Sequence, residues 1–461
     1  MLFSSIEFLY YFLPITLIGY FLMPWKLKNF WLFITSLFFY AWGEPKYVLL
    51  MLISIGLNYI WGLAIGAAKK PAFKRLFLIL SVITCLGLLG YFKYADFAVE
   101  NFNAVTGLGL ALPKLALPIG ISFYSFQILS YTIDVYRGNV ESQKNFVDFG
   151  AYVVLFPQLI AGPIVRYVDV VKELAERSTT LDDFRLGARR FLVGLGKKIL
   201  IANQLGAFVE IFRASGEKSV LFYWLYAIGF SLHIYFDFSG YSDMAIGLGR
   251  IFGFKFPENF NYPYLSASVQ EFWRRWHMTL GGWFRDYLYI PLGGSRVSKL
   301  KWLRNVLFVW LFTGLWHGAA WNFVIWGLMF AALLLIEKWV PALKKLPAAV
   351  RHGYVLVLVA ISFVLFNATS LSQAGSDIGG MFGFAGVPLV TNETLYYLRS
   401  YLVVFALALI GATPVVKMAG NRLENTRFAP VLETVFMALL LIFCTASLVD
   451  GSFNPFLYFR F

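Results

Sequence analysis

The sequence predicts an all-α polytopic membrane protein, with about 11 transmembrane helices plus re-entrant or interfacial helices, in one membrane domain over 1–461. Three observations predict it. The chain is 59% hydrophobic and only 14% charged, where a soluble domain carries about a quarter charged residues. Its apolar residues come in long blocks, not at every third or fourth position. Such blocks recur from end to end, each near the roughly 20 residues that cross a bilayer core.

The spans read as 6–24, 30–43, 47–66, 76–93, 115–136, 147–163, 186–213, 219–237, 302–317, 320–339, 353–369, 397–416 and 431–449, some too short or broken to cross fully. The first block, Phe8 to Met23, has no preceding positive charge and no small-residue cleavage site after it, unlike a cleavable signal. Lys26 and Lys28 follow it, so it runs from outside to inside. Lys69, Lys70, Lys74 and Arg75 fall inside, and the loop 94–114, with Asp96, Glu100 and Lys114, suits the outside. Lys344, Lys345, Arg351, Lys417, Arg422 and Arg427 fall inside again, which leaves both chain termini extracytoplasmic. The same clustering explains the net charge of +14 without nucleic acid as a partner. Cys85 and Cys444 sit in apolar blocks and read as packing residues, not as a disulfide or metal site.

The stretch 140–300 does not alternate cleanly. Irregular backbone at membrane depth is tolerated only where protein or a water-filled cavity surrounds it. On that ground 157–166 and 254–294 read as re-entrant or interfacial segments lining a cavity.

The chemistry concentrates on histidines. His317 lies in LWHGAAWNFVIWG, 315–327, where Gly314, Gly318, Ala319 and Ala320 leave room for close approach of a backbone or substrate. An ionisable group in a membrane is costly and faces a cavity or a partner. A neutral imidazole there can take a proton from a hydroxyl; a packed, hydrogen-bonded histidine is the plainer alternative. His277 lies in a segment that mixes Arg274, Arg275 and Arg285 with Glu271, Asp286 and tryptophans. That mixture suits an interfacial helix and equally a site for a phosphorylated cofactor, since arginine forks match phosphate oxygens. His233 and Asp237 share a helix face, as an oriented imidazole or a structural pair. Ser239 and Ser242 would cap a break in that helix. His352 reads as an interfacial residue.

Other chemistries lack their signatures. The sequence has no GxSxG elbow, no phosphate-binding GKS or GKT loop and no HExxH pair. It has no Cys/His cluster, so no metal is expected. Histidine base catalysis without a serine nucleophile is what remains.

At these residues the chain resembles the membrane-bound O-acyltransferases, in particular the alginate O-acetyltransferase-like branch. The likeness runs through MLFSSIEFLYYFLP at the start, SLFFYAWGEPKY (36–47), LPIGISFYSFQILSYTIDVYRG (117–138) and FPQLIAGPIVR (156–166). It continues in FDFSGYSDMAIG (236–247), FWRRWHMTLGGWFRDYLYIPLGG (272–294), WHGAAWNFVIWG (316–327) and the tail NPFLYFRF (454–461). The resemblance implies helices around a central tunnel in a bacterial inner membrane, and acetyl-CoA as cytosolic donor. It implies His317 as the catalytic histidine deep in the tunnel, not at the outer surface, and His277 as the second. Trp316, Asn322, Trp273 and Asp237 would support them, with Arg274, Arg275, Arg285 and Arg166 at the donor's charged nucleotide. Related members work with an extracytoplasmic SGNH-hydrolase-like partner that places the acyl group on polysaccharide or peptidoglycan. Tyr458 in the aromatic tail is a candidate acyl relay or an interfacial anchor. A transporter of acyl donor or glycan, and an acyltransferase acting on a membrane lipid or protein, are the alternatives.

Overall fold

An apolar block in lipid satisfies its backbone polar groups internally only as a helix. The computed structural model follows that rule; it describes every residue except 425, 452–455 and 458–461. In chain order the helices begin with a π-helical turn and α1 (Leu13–Leu22), α2 (Trp25–Gly43), α3 (Val48–Ala67), α4 (Pro71–Thr106) and α5 (Ile121–Arg137). Next come α6 (Phe146–Val154), α7 (Phe156–Leu159), α8 (Tyr167–Ala175) and α9 (Leu181–Gly196), which a π-helical stretch, Lys197–Ala202, joins to α10 (Asn203–Ala214). α11 (Val220–Ile251), α12 (Val269–Arg275) and α13 (Met278–Phe284) precede the pair α14 (Lys299–His317) and α15 (Trp321–Trp339). The chain closes with α16 (Ala348–Asn367), α17 (Leu371–Met381), α18 (Asn392–Gly411), α19 (Val415–Glu424) and α20 (Ala429–Asp450).

Eight of the described helical stretches are long and apolar enough to cross a bilayer: Pro45–Ala67, Pro71–Thr106, Leu181–Ala214, Val220–Ile251, Trp321–Trp339, Ala348–Asn367, Asn392–Gly411 and Ala429–Asp450. The chain is a multi-pass membrane protein. The eight are fewer than the 11 expected, because several blocks form elements too short or too charged. α5 is 17 residues long, and α14 opens with Lys299, Lys301 and Arg304. Two expected interruptions are absent. α4 runs through Asp96 and Glu100 to Thr106, where Gly107 at φ 71° supplies the left-handed cap. α11 runs through Ser239 and Ser242 without a break. Within the segments expected to be re-entrant or interfacial, 157–166 is one turn of helix and a buried loop, and 254–294 contains only short helices.

The chain divides into two compact units, Met1–Phe191 with Ser242–Glu258 and Arg285–Tyr287, and Leu192–Tyr241 with Asn259–Phe284 and Leu288–Phe461. In the first unit α3 packs on α4 and α5, and α2 on α6. Its α5 is buried along most of its length in spite of Ser122, Ser125, Gln127, Ser130 and Thr132. Ser81 bridges Asn58 and Thr132 at 2.8 and 2.9 Å, so this polar interior is tied together by hydroxyls. Cys85 donates to the same Asn58, and Cys444 is buried; both thiols are free. The second unit holds the large aromatic core, in which Trp276, Trp326 and Phe330 are almost wholly buried.

Candidate active site

His317 owes its place to glycine. α14 and α15 form a hairpin so close that a Cβ on Gly314 would stand 2.3 Å from the Phe323 carbonyl oxygen. One on Gly327 would stand 2.3 Å from the Trp310 carbonyl oxygen. His317 is the last residue of α14 and is 3% exposed. Rings of Trp316, Trp326 and Phe366 surround it with centroids at 5.0, 5.0 and 5.3 Å, all edge-on. Asn322, at the start of α15, donates to the Ala368 carbonyl at 3.0 Å and so covers the end of α16 beside Phe366. That bond ties the start of α15 to the end of α16, whose Phe366 packs on His317.

His277 lies in the same unit, between α12 and α13, with φ at 44°. A left-handed backbone at a residue other than glycine is uncommon and gathers at functional sites. Ser268 caps α12 by accepting from the Glu271 amide at 3.0 Å, while Glu271 accepts from the Ala267 amide at 3.0 Å. At the other end the Asn259 carbonyl accepts from the Met278 amide at 2.9 Å. The Asn259 side-chain oxygen accepts from Thr279 Oγ1 at 2.9 Å and lies 3.1 Å from His277 Nδ1. That oxygen cannot donate, so Nδ1 carries the hydrogen and Nε2 keeps a lone pair. Nε2 is buried and has no hydrogen-bond partner among the described residues. Burial pushes the His277 pKa down to about 3, so the imidazole is neutral at physiological pH. Trp316 joins the two histidines, with its ring 5.8 Å from His277 and 5.0 Å from His317. Trp273 packs at 5.6 Å on Trp326 and at 4.8 Å on Phe330. The indole N–H groups of Trp273 and Trp326 are buried without an acceptor among the described residues.

The four arginines divide between the units. Arg166 grips Asp169 through Nε at 3.0 Å and Nη2 at 2.9 Å, and Asp286 through Nη1 at 2.9 Å. Arg285 takes the same Asp286 at 2.7 Å. Hydrogen bonds from Arg285, opposed by partial burial and helped by the charges of Arg285 and Arg166, hold the Asp286 carboxyl below the usual range. In the second unit Arg275 is paired with Glu271 at 2.9 Å, and Arg274 is exposed with no ion pair among the described residues. Three of the four are thus already satisfied by carboxylates, and a phosphate would have to compete for them.

Asp237 turns to a residue sequence reasoning did not single out. Its Oδ1 lies 2.5 Å from Lys198 Nζ, and its Oδ2 accepts from the Leu457 amide at 2.8 Å. The signal was available: Lys197 and Lys198 interrupt an apolar block, and a charge inside a span marks function by default. Asn259 was missed because an asparagine in a Pro-rich loop has no distinguishing pattern. His233 packs edge-on against Phe230 at 6.1 Å. Tyr458 lies outside the described residues. Among the described residues no group of His, Cys, Asp or Glu is placed to hold a metal.

A family model for the membrane-bound O-acyltransferases matches residues 20–374. The chain belongs to the membrane-bound O-acyltransferase family. It is therefore an acyltransferase. It is 40% identical to a probable alginate O-acetylase, AlgI, of Azotobacter vinelandii, over the whole of both chains. It is 34% identical to a peptidoglycan O-acetyltransferase of Helicobacter pylori, over 100% of this chain and 98% of that one. A teichoic acid D-alanyltransferase of Bacillus subtilis is 29% identical over 63% of this chain and 82% of its own length. His277, His317 and the tryptophan they share lie inside the matched region of this membrane-bound O-acyltransferase.

Proposed function

We propose that the chain is a membrane-embedded O-acetyltransferase, acting as one domain in a bacterial inner membrane with both termini extracytoplasmic. It takes acetyl from cytosolic acetyl-CoA and passes it outward for O-acetylation of a polysaccharide such as alginate or peptidoglycan. An SGNH-hydrolase-like extracytoplasmic protein completes the transfer. The names of the relatives from Azotobacter vinelandii and Helicobacter pylori support the acetyl group and the polysaccharide class.

The observation that carries the chemistry is the pair of buried histidines linked by Trp316. His317 takes the proton of the acceptor hydroxyl as its oxygen attacks the thioester carbonyl. The new C–O bond forms, the C–S bond breaks, and the departing thiolate takes the proton back from the imidazolium. His277, neutral with its Nε2 lone pair held inward, accepts a hydrogen bond beside it. The indole N–H groups of Trp273 and Trp326 supply donors for charge on the carbonyl oxygen. Arg274, exposed and with no ion pair among the described residues, meets the donor's phosphates, joined by Arg275 as Glu271 allows. Tyr458 is the acceptor that carries acetyl toward the partner.

His317→Ala tests the reading. Acetyl transfer from acetyl-CoA by the purified, folded variant should fall about 10²–10⁴-fold. Retention of most of the activity would remove His317 as the base.

A further inference from the structure

Lys198 and Asp237 form a charged pair with side chains only 3% and 1% exposed. Burying two charges costs more than an apolar pair of the same size, so their presence asks for a use beyond stability. Lys198 reaches Asp237 from the π-helical stretch Lys197–Ala202, and such stretches gather at functional sites. The backbones also meet closely here: a Cβ on Gly240 would stand 2.8 Å from the Gly194 carbonyl oxygen.

The carboxylate has a second oxygen to use, and it goes to the far end of the chain. Oδ2 accepts the Leu457 N–H at 2.8 Å, across 220 residues of sequence. Phe456 and Leu457 are 2% and 5% exposed, buried like core residues. The Phe456 ring lies 4.9 Å from Tyr241 and 5.9 Å from Phe238. Phe238 in turn lies perpendicular to the His277 ring, with centroids 4.7 Å apart. One aromatic ring therefore separates the seated tail from the second histidine.

We propose that the Lys198–Asp237 pair is the receptor for the C-terminal tail. Asp237 holds the backbone at Leu457 through Oδ2, and Lys198 holds the carboxylate in place through Oδ1. Both are positioning residues for the part of the chain that begins at Tyr458. What the tail then does rests on the acetyl-transfer reading; the anchoring itself does not.

Two charge-balanced double variants separate anchor from scaffold. Lys198→Met with Asp237→Asn keeps an acceptor oxygen; Lys198→Met with Asp237→Leu removes it. Hydrogen exchange of the full-length protein in nanodiscs, read on the C-terminal peptide, reports the Leu457 amide directly. Exchange should be slowest in the wild type and intermediate in the Asn form. In the Leu form it should run about 10- to 100-fold faster than in the wild type, the worth of a hydrogen bond to a charged acceptor. The Leu form should lose kcat relative to the Asn form at equal KM for acetyl-CoA and equal melting temperature, which a purely structural pair would not produce. Equal exchange in all three proteins overturns the anchor, and faster exchange with unchanged kcat overturns the positioning role. A wild type that transfers no acetyl overturns the functional reading alone, since the order of exchange still decides the anchor.

Discussion

Gly327→Ala is the sharpest test of how the hairpin that carries His317 is built. The added Cβ would stand 2.3 Å from the Trp310 carbonyl oxygen, and 3.2 Å from the Gly314 Cα and N. All of these are backbone atoms in the middle of α14, so no side chain can rotate away. An ordinary van der Waals contact begins near 3.4 Å, so the two helices must part by about 1 Å. Overpacking of this kind costs about 1–3 kcal/mol. The shift falls on Trp326, adjacent to the substitution, and on His317, one turn beyond Gly314. Misplacing reacting groups by about 1 Å costs on the order of 100-fold in rate. The assay is acetyl transfer by protein in proteoliposomes, with thermal melting in parallel. Gly353→Ala in α16 is the control, because nothing lies within 4 Å of its Cβ. If Gly327→Ala melts and turns over like Gly353→Ala, the close approach of α14 and α15 does not set the geometry of His317.

Two further outcomes follow from the surroundings of the site. Asn259→Ala takes the acceptor from His277 Nδ1 and from Thr279 together; it should lower stability by about 1–3 kcal/mol and slow transfer, and an unchanged melting curve would count against the assigned tautomer. Asp286, its carboxyl lowered chiefly by hydrogen bonds from Arg285, contributes stability that is fully present above about pH 4. That contribution is lost as pH falls through the lower folded value, so Asp286→Asn should flatten the acid side of a melting-temperature profile. Identical acid limbs for the two proteins would contradict the ion-pair account.

Much of this architecture was legible in the residues. Long apolar blocks become helices because lipid offers the backbone no other partner, and the Trp-His-Gly turn announced a buried histidine. Helix continuity was less legible. Ser239 and Ser242 suggested a break in α11, yet the helix runs on; the charge of nearby Asp237 is met by Lys198 from another helix, and no local pattern encodes that meeting. Likewise Asp96 and Glu100 suggested a loop, whereas α4 carries them to the cap at Gly107. The arginines were read by type, as phosphate forks. Their carboxylate partners, Asp169 three residues from Arg166 and Asp286 next to Arg285, were visible in the sequence, yet their geometry was not. Sequence lists charges; the fold decides which are already spent.

α20 is 22 residues long, and only 6% of its apolar stretch is buried within the protein. It touches the rest of its unit mainly along the π-helical stretch, and Leu440 meets Gly196 just before it. At about 33 Å it is close to the thickness of a bilayer's hydrocarbon. The helix is thus held by lipid at its sides while the chain just beyond it is tied to Asp237 in the core. A thicker or thinner membrane would tilt α20 and pull on that tie. Bilayer thickness thereby becomes a mechanical load on the hydrogen bond between Leu457 and Asp237.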